Sequence, residues 1–124
     1  MGKAAPDATI DAMFDYIDQS TIMHVCSAEP ANYAGIAAVS LADVAMTVDT
    51  GDFTKANGDS SGRKVTVAAK NGVPVDVSGT ASHIVLARVA DSTLRYVTTC
   101  PNQALTALNT VNIPAWKVEV ADPT

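Results

Sequence analysis

The sequence is poor in aromatic residues and in cations. Aromatic residues make up 5% of the chain, and 8 lysines and arginines stand against 13 aspartates and glutamates, giving a formal net charge of −5. Because an acidic chain without a basic cluster is a poor ligand for a phosphate backbone, we expect no nucleic-acid partner. With few aromatic side chains, the core must be built largely from alanine and valine, and the abundant valines and threonines favour strands.

Long apolar runs are also missing. No run approaches the ~20 apolar residues that a transmembrane helix needs, so we expect no membrane partner. The first residues, MGKAAPDATID, lack the apolar centre of a signal peptide. Pro6 occupies the position at which an N-myristoylation motif has serine or threonine, which excludes that modification. We therefore expect a protein made in the cytoplasm.

Cysteine is scarce, and its spacing carries no metal pattern. Cys26 and Cys100 lie far from each other in sequence, and neither has the spacing to a histidine that zinc sites require. One long-range disulfide and two thiols packed as small apolar side chains are both compatible with the sequence. Because no secretion signal is found, the sequence favours the two thiols.

The two histidines offer no clear catalytic centre. His24 and His83 both lie in predicted strands, and His24 shares a strand face with Cys26. Residues two apart on a strand have Cα atoms roughly 6 to 7 Å apart, which is a weak basis for a Cys–His pair. We expect partly buried, hydrogen-bonded histidines, no enzymatic activity, no catalytic residue and no cofactor.

An acidic, glycine-rich stretch raises the question of calcium. Asp49, Asp52, Asn57 and Asp59 could bind a cation only if they converge. Lys55 stands where an EF-hand loop requires an acid or amide, so that pattern fails. Solvated turn residues are the favoured interpretation, and no metal site is predicted.

The only strong helical pattern covers residues 7–19, after a loose tail at residues 1–6. Its apolar residues follow the i, i+3, i+4, i+7 spacing that forms a single stripe on a helix. The favoured interpretation is a helix docked on a sheet, and the alternative is a helix that binds a partner. The stripe consists of Ile10, Met13, Phe14 and Ile17.

The stretch from Arg63 to Val77 alternates valines with other residues and predicts two strands. A three-residue loop, Lys70–Gly72, would pair Val67 with Val75 and keep all valines on one face, with Gly72 at positive φ. The preceding residues 50–62 are dense in Gly, Asp, Ser and Asn, which predicts a long surface loop that could act as a contact arm.

Further strands complete a mainly β domain. We predict strands near 21–27, 41–48, 83–89, 93–100 and 111–120, with 83–89 central because it is apolar on both faces. Trp116 in the last strand is predicted to anchor the core. About seven short strands with regularly spaced turns predict one domain over residues 1–124, a compact antiparallel β-sandwich or barrel with one N-terminal amphipathic helix.

Four phrases in this order resemble small structural proteins of tailed bacteriophages. They are HVCSAEPANY at 24–33, SGRKVTV at 61–67, GTASHIVLARV at 79–89 and NTVNIPAWKVEVADP at 109–123. The similarity covers the chain from about residue 8 to its end. The sequence departs from the resemblance at residues 107–109, where Ala-Leu-Asn replaces an expected Ser-Gly-Asn.

The resemblance implies a virion component, made in a bacterial host, that performs no catalysis. We expect a capsid decoration or cement protein on the head surface, a homo-oligomer that binds the major capsid protein or another virion protein. A tail, collar or fibre-adaptor subunit is the alternative, and a carbohydrate- or receptor-binding module is an alternative of another class. We expect deletion of residues 1–19 to weaken attachment more than folding. The candidate partner contacts are Ile10, Met13, Phe14, Ile17, Tyr33, Phe53 and Lys55.

Overall fold

The computed structural model describes residues 6–121. It confirms a mainly β, antiparallel fold with an N-terminal helix, and its described residues form nine strands rather than about seven. The predicted tail at residues 1–6 and the closing Asp122-Pro123 lie almost wholly outside this range. The helices are α1 (Asp7–Ile17) and α2 (Ile36–Val39), and the strands are β1 (Ile22–Cys26), β2 (Ser40–Ala45), β3 (Phe53–Asn57), β4 (Arg63–Val67), β5 (Lys70–Pro74), β6 (Gly79–Arg88), β7 (Thr93–Leu105), β8 (Thr110–Ile113) and β9 (Trp116–Val120).

The strands form three antiparallel sheets in a sandwich-like arrangement. Four strands pair in the order β2-β1-β6-β7, three in the order β3-β4-β9, and β5 pairs with β8. One main core, which includes Met23, Val65, Leu86 and Ile113, collects side chains from all three sheets. None of the helices within residues 6–121 is long and apolar enough to span a bilayer.

Strand β6 is an interior strand, as its apolar sequence predicts. It pairs with β1 on one side and with β7 on the other. Ile84 and Leu86 point into the main core, while Val85 and Ala87 join a second cluster on the opposite face of the sheet. Burial on both faces explains why this strand shows no alternation of apolar and polar residues.

Helix α1 docks on the strands, which confirms the favoured interpretation of its apolar stripe. Ile10, Phe14 and Ile17 are 1%, 0% and 7% exposed. On the polar side, Arg63 Nε of β4 lies 3.0 Å from a carboxylate oxygen of Asp11. The helix is therefore held by apolar packing below and by ion pairs to β3 and β4 at its margin.

The predicted hairpin between residues 63 and 77 is wrong. Strand β4 pairs with β3 and β9, and β5 pairs with β8. The alternation is real, because Val65, Val67, Val73 and Val75 are buried, and Gly72 has the expected positive φ of 66°. Alternation identifies the face of a strand that packs on the core, but it does not identify the neighbouring strand.

The predicted loop at residues 50–62 is also wrong in its first half. Residues 53–57 form β3, which pairs with β4 through the partners Phe53↔Val67 and Asn57↔Arg63. Phe53 is 2% exposed and anchors this otherwise polar edge strand to the core. The true turn is short and ends at Gly62, where φ is +70° and a Cβ would collide with the carbonyl oxygen of Val120.

Two strand predictions near prolines are wrong in opposite directions, because one strand is longer than predicted and the other is divided in two. Strand β7 runs past Pro101 to Leu105, because it has a neighbour on one side only and its pairing with β6 shifts near the proline. Edge strands and bulges tolerate proline, which has no N–H to donate. The single strand predicted over residues 111–120 is instead divided into β8 and β9 at residues 114–115.

Asp52 should make stability depend on acidic pH. Burial by itself would raise the pKa of this carboxyl, but hydrogen bonds from the Thr47 backbone N–H and from Lys70 outweigh it and lower the pKa. Because the pKa is lower in the folded state, this contribution is present above the unfolded pKa of about 3.9 and is lost as pH falls through the folded value. We expect Asp52→Asn to lower the free energy of unfolding at pH 7 by about 1.5–3 kcal/mol.

Urea unfolding at pH 7, 5 and 3 measures this effect. The difference between the wild type and the Asp52→Asn variant should be constant from pH 7 to 5 and should shrink at pH 3. Asp76→Asn is the matched control, because Asp76 is exposed and forms no ion pair among the described residues. An undiminished difference at pH 3 would contradict the role of the charged carboxylate.

Candidate functional site

Several predicted partner contacts lie inside the molecule. Ile10, Phe14, Ile17 and Phe53 are buried in the main core, so their assignment as surface contacts is wrong. These four apolar side chains form part of the core, and a partner has no access to them. Met13 is the exception on the helix, with 55% of its surface exposed.

The other two predicted contacts are occupied by internal partners. Lys55 forms ion pairs with Asp15 and Asp18 of the helix region. Tyr33 is half-buried against the second apolar cluster, beside Ile36. Both side chains are therefore used mainly to hold the fold together.

One exposed apolar patch covers the outer face of α1. Met13 and Tyr16 are about half exposed, and the guanidinium carbon of Arg95 lies 3.9 Å from the centre of the Tyr16 ring. Arg95 also donates to the backbone carbonyl of Tyr16 at 3.0 Å. Tyr16 was absent from the predicted contacts because it lies off the stripe that the helical period selects. The cation–π contact and the backbone hydrogen bond hold Arg95 against this patch.

The most exposed apolar side chain belongs to the turn between β7 and β8. Leu108 is 98% exposed, and its backbone has a φ of +74°. A left-handed conformation costs a non-glycine residue roughly 1–2 kcal/mol. Leucine is therefore unfavourable at this position both for its backbone and for its hydration.

A second loop fixes this turn in place. The Leu108 N–H donates to the Val75 carbonyl at 3.0 Å, and the Ala107 N–H donates to Ser78 Oγ at 2.9 Å. Val77 on the second loop is 52% exposed, and Asp76 beside it is exposed as well. We call residues 75–78 with residues 107–109 the tip. It presents two apolar side chains and a carboxylate on a hydrogen-bonded frame.

The one signal for the tip in the sequence was the departure from the expected Ser-Gly-Asn at residues 107–109. The φ of +74° at Leu108 is a conformation that glycine adopts without strain and leucine does not. The exposed leucine at this position therefore has a cost in stability. Such an outlier is a reason to look for function at that position.

The positive charges of the described chain are neutralised internally. Each lysine and arginine within residues 6–121 lies within ion-pair distance of an aspartate or glutamate, whereas the exposed Asp7, Glu29, Asp43 and Asp76 form no ion pair with these cations. The uncompensated charge on the described surface is therefore negative. A partner surface that complements it would be basic.

The histidines are half-buried and hydrogen-bonded, as predicted. His24 Nδ1 lies 2.8 Å from Ser40 Oγ, and His83 Nδ1 lies 2.8 Å from Ser82 Oγ. Burial lowers the pKa of His24, although the charge of Asp43 opposes this effect. His24 is therefore neutral at pH 7 and gives up its proton more readily than an exposed histidine.

Both cysteines are free thiols, as the sequence favoured. Burial raises the pKa of the Cys26 thiol to about 11, with a further contribution from Cys100, and burial also raises the pKa of Cys100. Because the thiolate is the reactive form, neither residue is an activated nucleophile at neutral pH.

Thiol labelling of the native protein should separate the two cysteines. Cys26 is 0% exposed and Cys100 is half-buried at the rim of a cleft. At pH 7.5 we expect a disulfide reagent to label Cys100 slowly and Cys26 only after unfolding, as read by peptide mass spectrometry. In urea both should react quickly, which is the control. Labelling of native Cys26 at least as fast as Cys100 would contradict the buried position of its sulfur.

The residues of the suspected calcium stretch do not converge. Asp52 binds Lys70, Asp59 binds Lys64 and Lys117, and Asn57 accepts a hydrogen bond from Arg63. Between residues 6 and 121, no three His, Cys, Asp or Glu side chains are grouped so that they could hold a metal ion.

The chain matches no protein-family model, no curated protein and no solved structure. What the protein does is therefore inferred from its surface and from the order of its sequence phrases. The tip is the best candidate for a functional site, because it combines exposure, an unfavourable backbone conformation and a hydrogen-bonded frame.

Proposed function

We propose that this protein is a structural component of a tailed-phage virion that decorates the assembled capsid and performs no catalysis. The four phrases at 24–33, 61–67, 79–89 and 109–123 support the virion assignment. The observation that carries the binding role is Leu108, which is fully exposed in a conformation that leucine disfavours. Burial of this side chain against the major capsid protein would compensate for that cost.

The surface of the protein suits a repeated attachment to a lattice. Since the cations of the described residues are paired internally, the exposed carboxylates leave a negative surface, and the tip adds Asp76 beside Val77 and Leu108. A protein that binds the assembled form and not free subunits stabilises the assembly by linkage. Copies grouped as dimers or trimers around symmetry axes would suit a closed lattice.

A tail, collar or fibre-adaptor subunit is the alternative within the same class. Copy number separates the two proposals, because a head decoration protein is present in hundreds of copies and an adaptor in about a dozen or fewer. A carbohydrate-binding role would need an exposed aromatic platform, whereas Trp116 is half-buried and stacks on Tyr96 with ring centres 6.0 Å apart.

Cryo-electron microscopy of the virion tests the proposal directly. We expect density for this chain over the whole head lattice, with the tip facing the shell. A binding experiment with purified, undecorated capsids should show saturable attachment that weakens as salt rises, because the contacts include charge pairs. Unassembled capsid subunits are the control and should bind weakly. Density confined to the tail, or no attachment to capsids at any salt concentration, would contradict the decoration role.

A further inference from the structure

We infer that Asn71, in an exposed bulge of β5, is converted spontaneously to aspartate and isoaspartate, whereas Asn57 is protected by the fold. Both asparagines are followed by glycine, and no other asparagine of the sequence is. Asparagine before glycine is the most reactive kind, because glycine has no Cβ to hinder the approach of the side-chain carbonyl to the following backbone nitrogen. This covalent change does not depend on the proposed role in the virion.

The reaction at Asn71 needs only water and the next main-chain nitrogen. The Gly72 amide loses its proton to hydroxide, and its nitrogen attacks the side-chain carbonyl carbon of Asn71. A new carbon–nitrogen bond forms, the bond to the side-chain nitrogen breaks, and that nitrogen leaves as ammonia. Water then opens the cyclic imide at either carbonyl. The product is aspartate or, where the main chain now runs through the former side chain, isoaspartate. No electrons are transferred, so no oxidant or reductant is required.

The main chain at Asn71 lies outside the regular strand pairing. The pairing of β5 with β8 shifts between Lys70 and Val73, so that Asn71 and Gly72 oppose the single residue Asn112. Two residues opposite one is the pattern of a β-bulge, which locally disrupts the ladder. Both bulge residues are exposed, and the Asn71 side chain makes no hydrogen bond in the described part of the chain. Its carbonyl group can therefore rotate toward the Gly72 nitrogen.

The surroundings of Gly72 leave room for the cyclic imide. Apart from its two chain neighbours, no described residue lies within 4 Å of the position that a Cβ on Gly72 would occupy. The Gly72 N–H donates to Asn112 Oδ1 at 2.8 Å. This acceptor belongs to an exposed side chain, which can change rotamer and release the nitrogen without the loss of a strand pairing. The hydrogen bond therefore slows the reaction but does not block it.

Asn57 has the same following residue, but its surroundings fix it in place. It is the last residue of β3 and pairs with Arg63, and its side-chain oxygen accepts from the Arg63 guanidinium at 3.0 Å. The Gly58 N–H donates to the backbone carbonyl of Gly62 at 2.9 Å. A Cβ on Gly58 would collide with the carbonyl oxygen of Ser61. Ring closure here therefore requires local opening of the turn between β3 and β4.

The product changes the charge of the surface. Each converted molecule gains one carboxylate, in a chain whose formal net charge is already −5. The neighbouring cation, Lys70, pairs with Asp52 at 3.0 Å, so the new carboxylate at position 71 has to compete for it. The converted protein is therefore more acidic than the original and separates from it by anion exchange.

Storage of the purified, full-length protein at pH 8.5 measures both reactions in one sample. Peptide mass spectrometry quantifies the conversion at each asparagine, and an isoaspartyl methyltransferase with labelled S-adenosylmethionine detects isoaspartate. We expect at least tenfold faster conversion at Asn71 than at Asn57 in the folded protein, because only Asn57 requires local opening. Both rates should fall at pH 6, since the glycine amide must lose a proton. In guanidinium chloride the two rates should become similar, which is the control.

Two variants locate the reaction. Asn71→Ser lacks the side-chain amide and should remove the acidic species that accumulates on anion exchange. Asn112→Ala removes the acceptor of the Gly72 N–H and should speed conversion at Asn71 at least twofold. An unchanged rate at Asn57 in this variant shows that the fold is intact. Equal rates at the two asparagines in the folded protein, or no conversion at Asn71 under conditions in which the unfolded chain reacts, would overturn the inference. An unchanged rate at Asn71 in Asn112→Ala would overturn the role of this hydrogen bond.

Discussion

Replacing Phe14 with alanine should lower the free energy of unfolding by about 3–5 kcal/mol. Phe14 is 0% exposed and packs from α1 into the main core beside Ile10 and Ile17. Removing its ring leaves a cavity that the β-sheet below cannot close. Because small domains are stable by roughly 5–15 kcal/mol, this single change should remove a large part of the stability.

Urea unfolding followed by circular dichroism measures this loss. Met13→Ala is the matched control on the same helix, since Met13 is 55% exposed and its loss should cost less than about 0.5 kcal/mol. Similar losses for the two variants would mean that α1 does not dock as described. Because α1 forms part of the core, we now expect deletion of residues 1–19 to unfold the domain and not only to weaken attachment.

Replacing Leu108 with glycine should raise stability and reduce attachment at the same time. Glycine relieves a left-handed conformation that costs leucine roughly 1–2 kcal/mol, and it loses about 0.5–1 kcal/mol through greater freedom of the unfolded chain. The net gain should be about 0.5–1 kcal/mol. Binding to capsids should fall at least tenfold, since an exposed leucine at the centre of a contact contributes more than about 1.4 kcal/mol.

This test is specific because Leu108→Gly should raise the free energy of unfolding while it lowers the affinity for capsids. Capsid co-sedimentation and urea unfolding should be measured on the same preparations. Leu108→Asn should behave similarly, because asparagine tolerates a positive φ and lacks the apolar side chain. Val89→Thr is the control, since Val89 is 52% exposed and follows the end of β6 that lies away from the tip, so this change should not alter affinity. Undiminished affinity of Leu108→Gly would remove the tip from the proposed contact.

Local patterns in the sequence determined the type of element and the face that it buries. The spacing of Ile10, Phe14 and Ile17 identified a helix and its buried side, and the alternation around Val65 and Val67 identified a strand and its buried side. These patterns follow from the helical and strand periods, which need no knowledge of the rest of the chain. The central position of β6 followed in the same way from its continuous apolar sequence.

The candidate site was less accessible to such reasoning. Tyr16 and Arg95 meet from distant parts of the chain, and the tip forms only because residues 75–78 and 107–109 are joined by hydrogen bonds. The unusual leucine at position 108 was visible as a departure from an expected glycine, but its exposure and its φ were not. Surface geometry of this kind depends on contacts between segments far apart in sequence.

The amino-acid sequence alone determined that this chain is a strand-rich, acidic domain whose first helix has one apolar face. Only the tertiary structure decided which strand pairs with which, so that β4 lies between β3 and β9 instead of forming a hairpin with β5. The physical reason is that alternation specifies a face, while partner choice depends on the competition of all strands for one core.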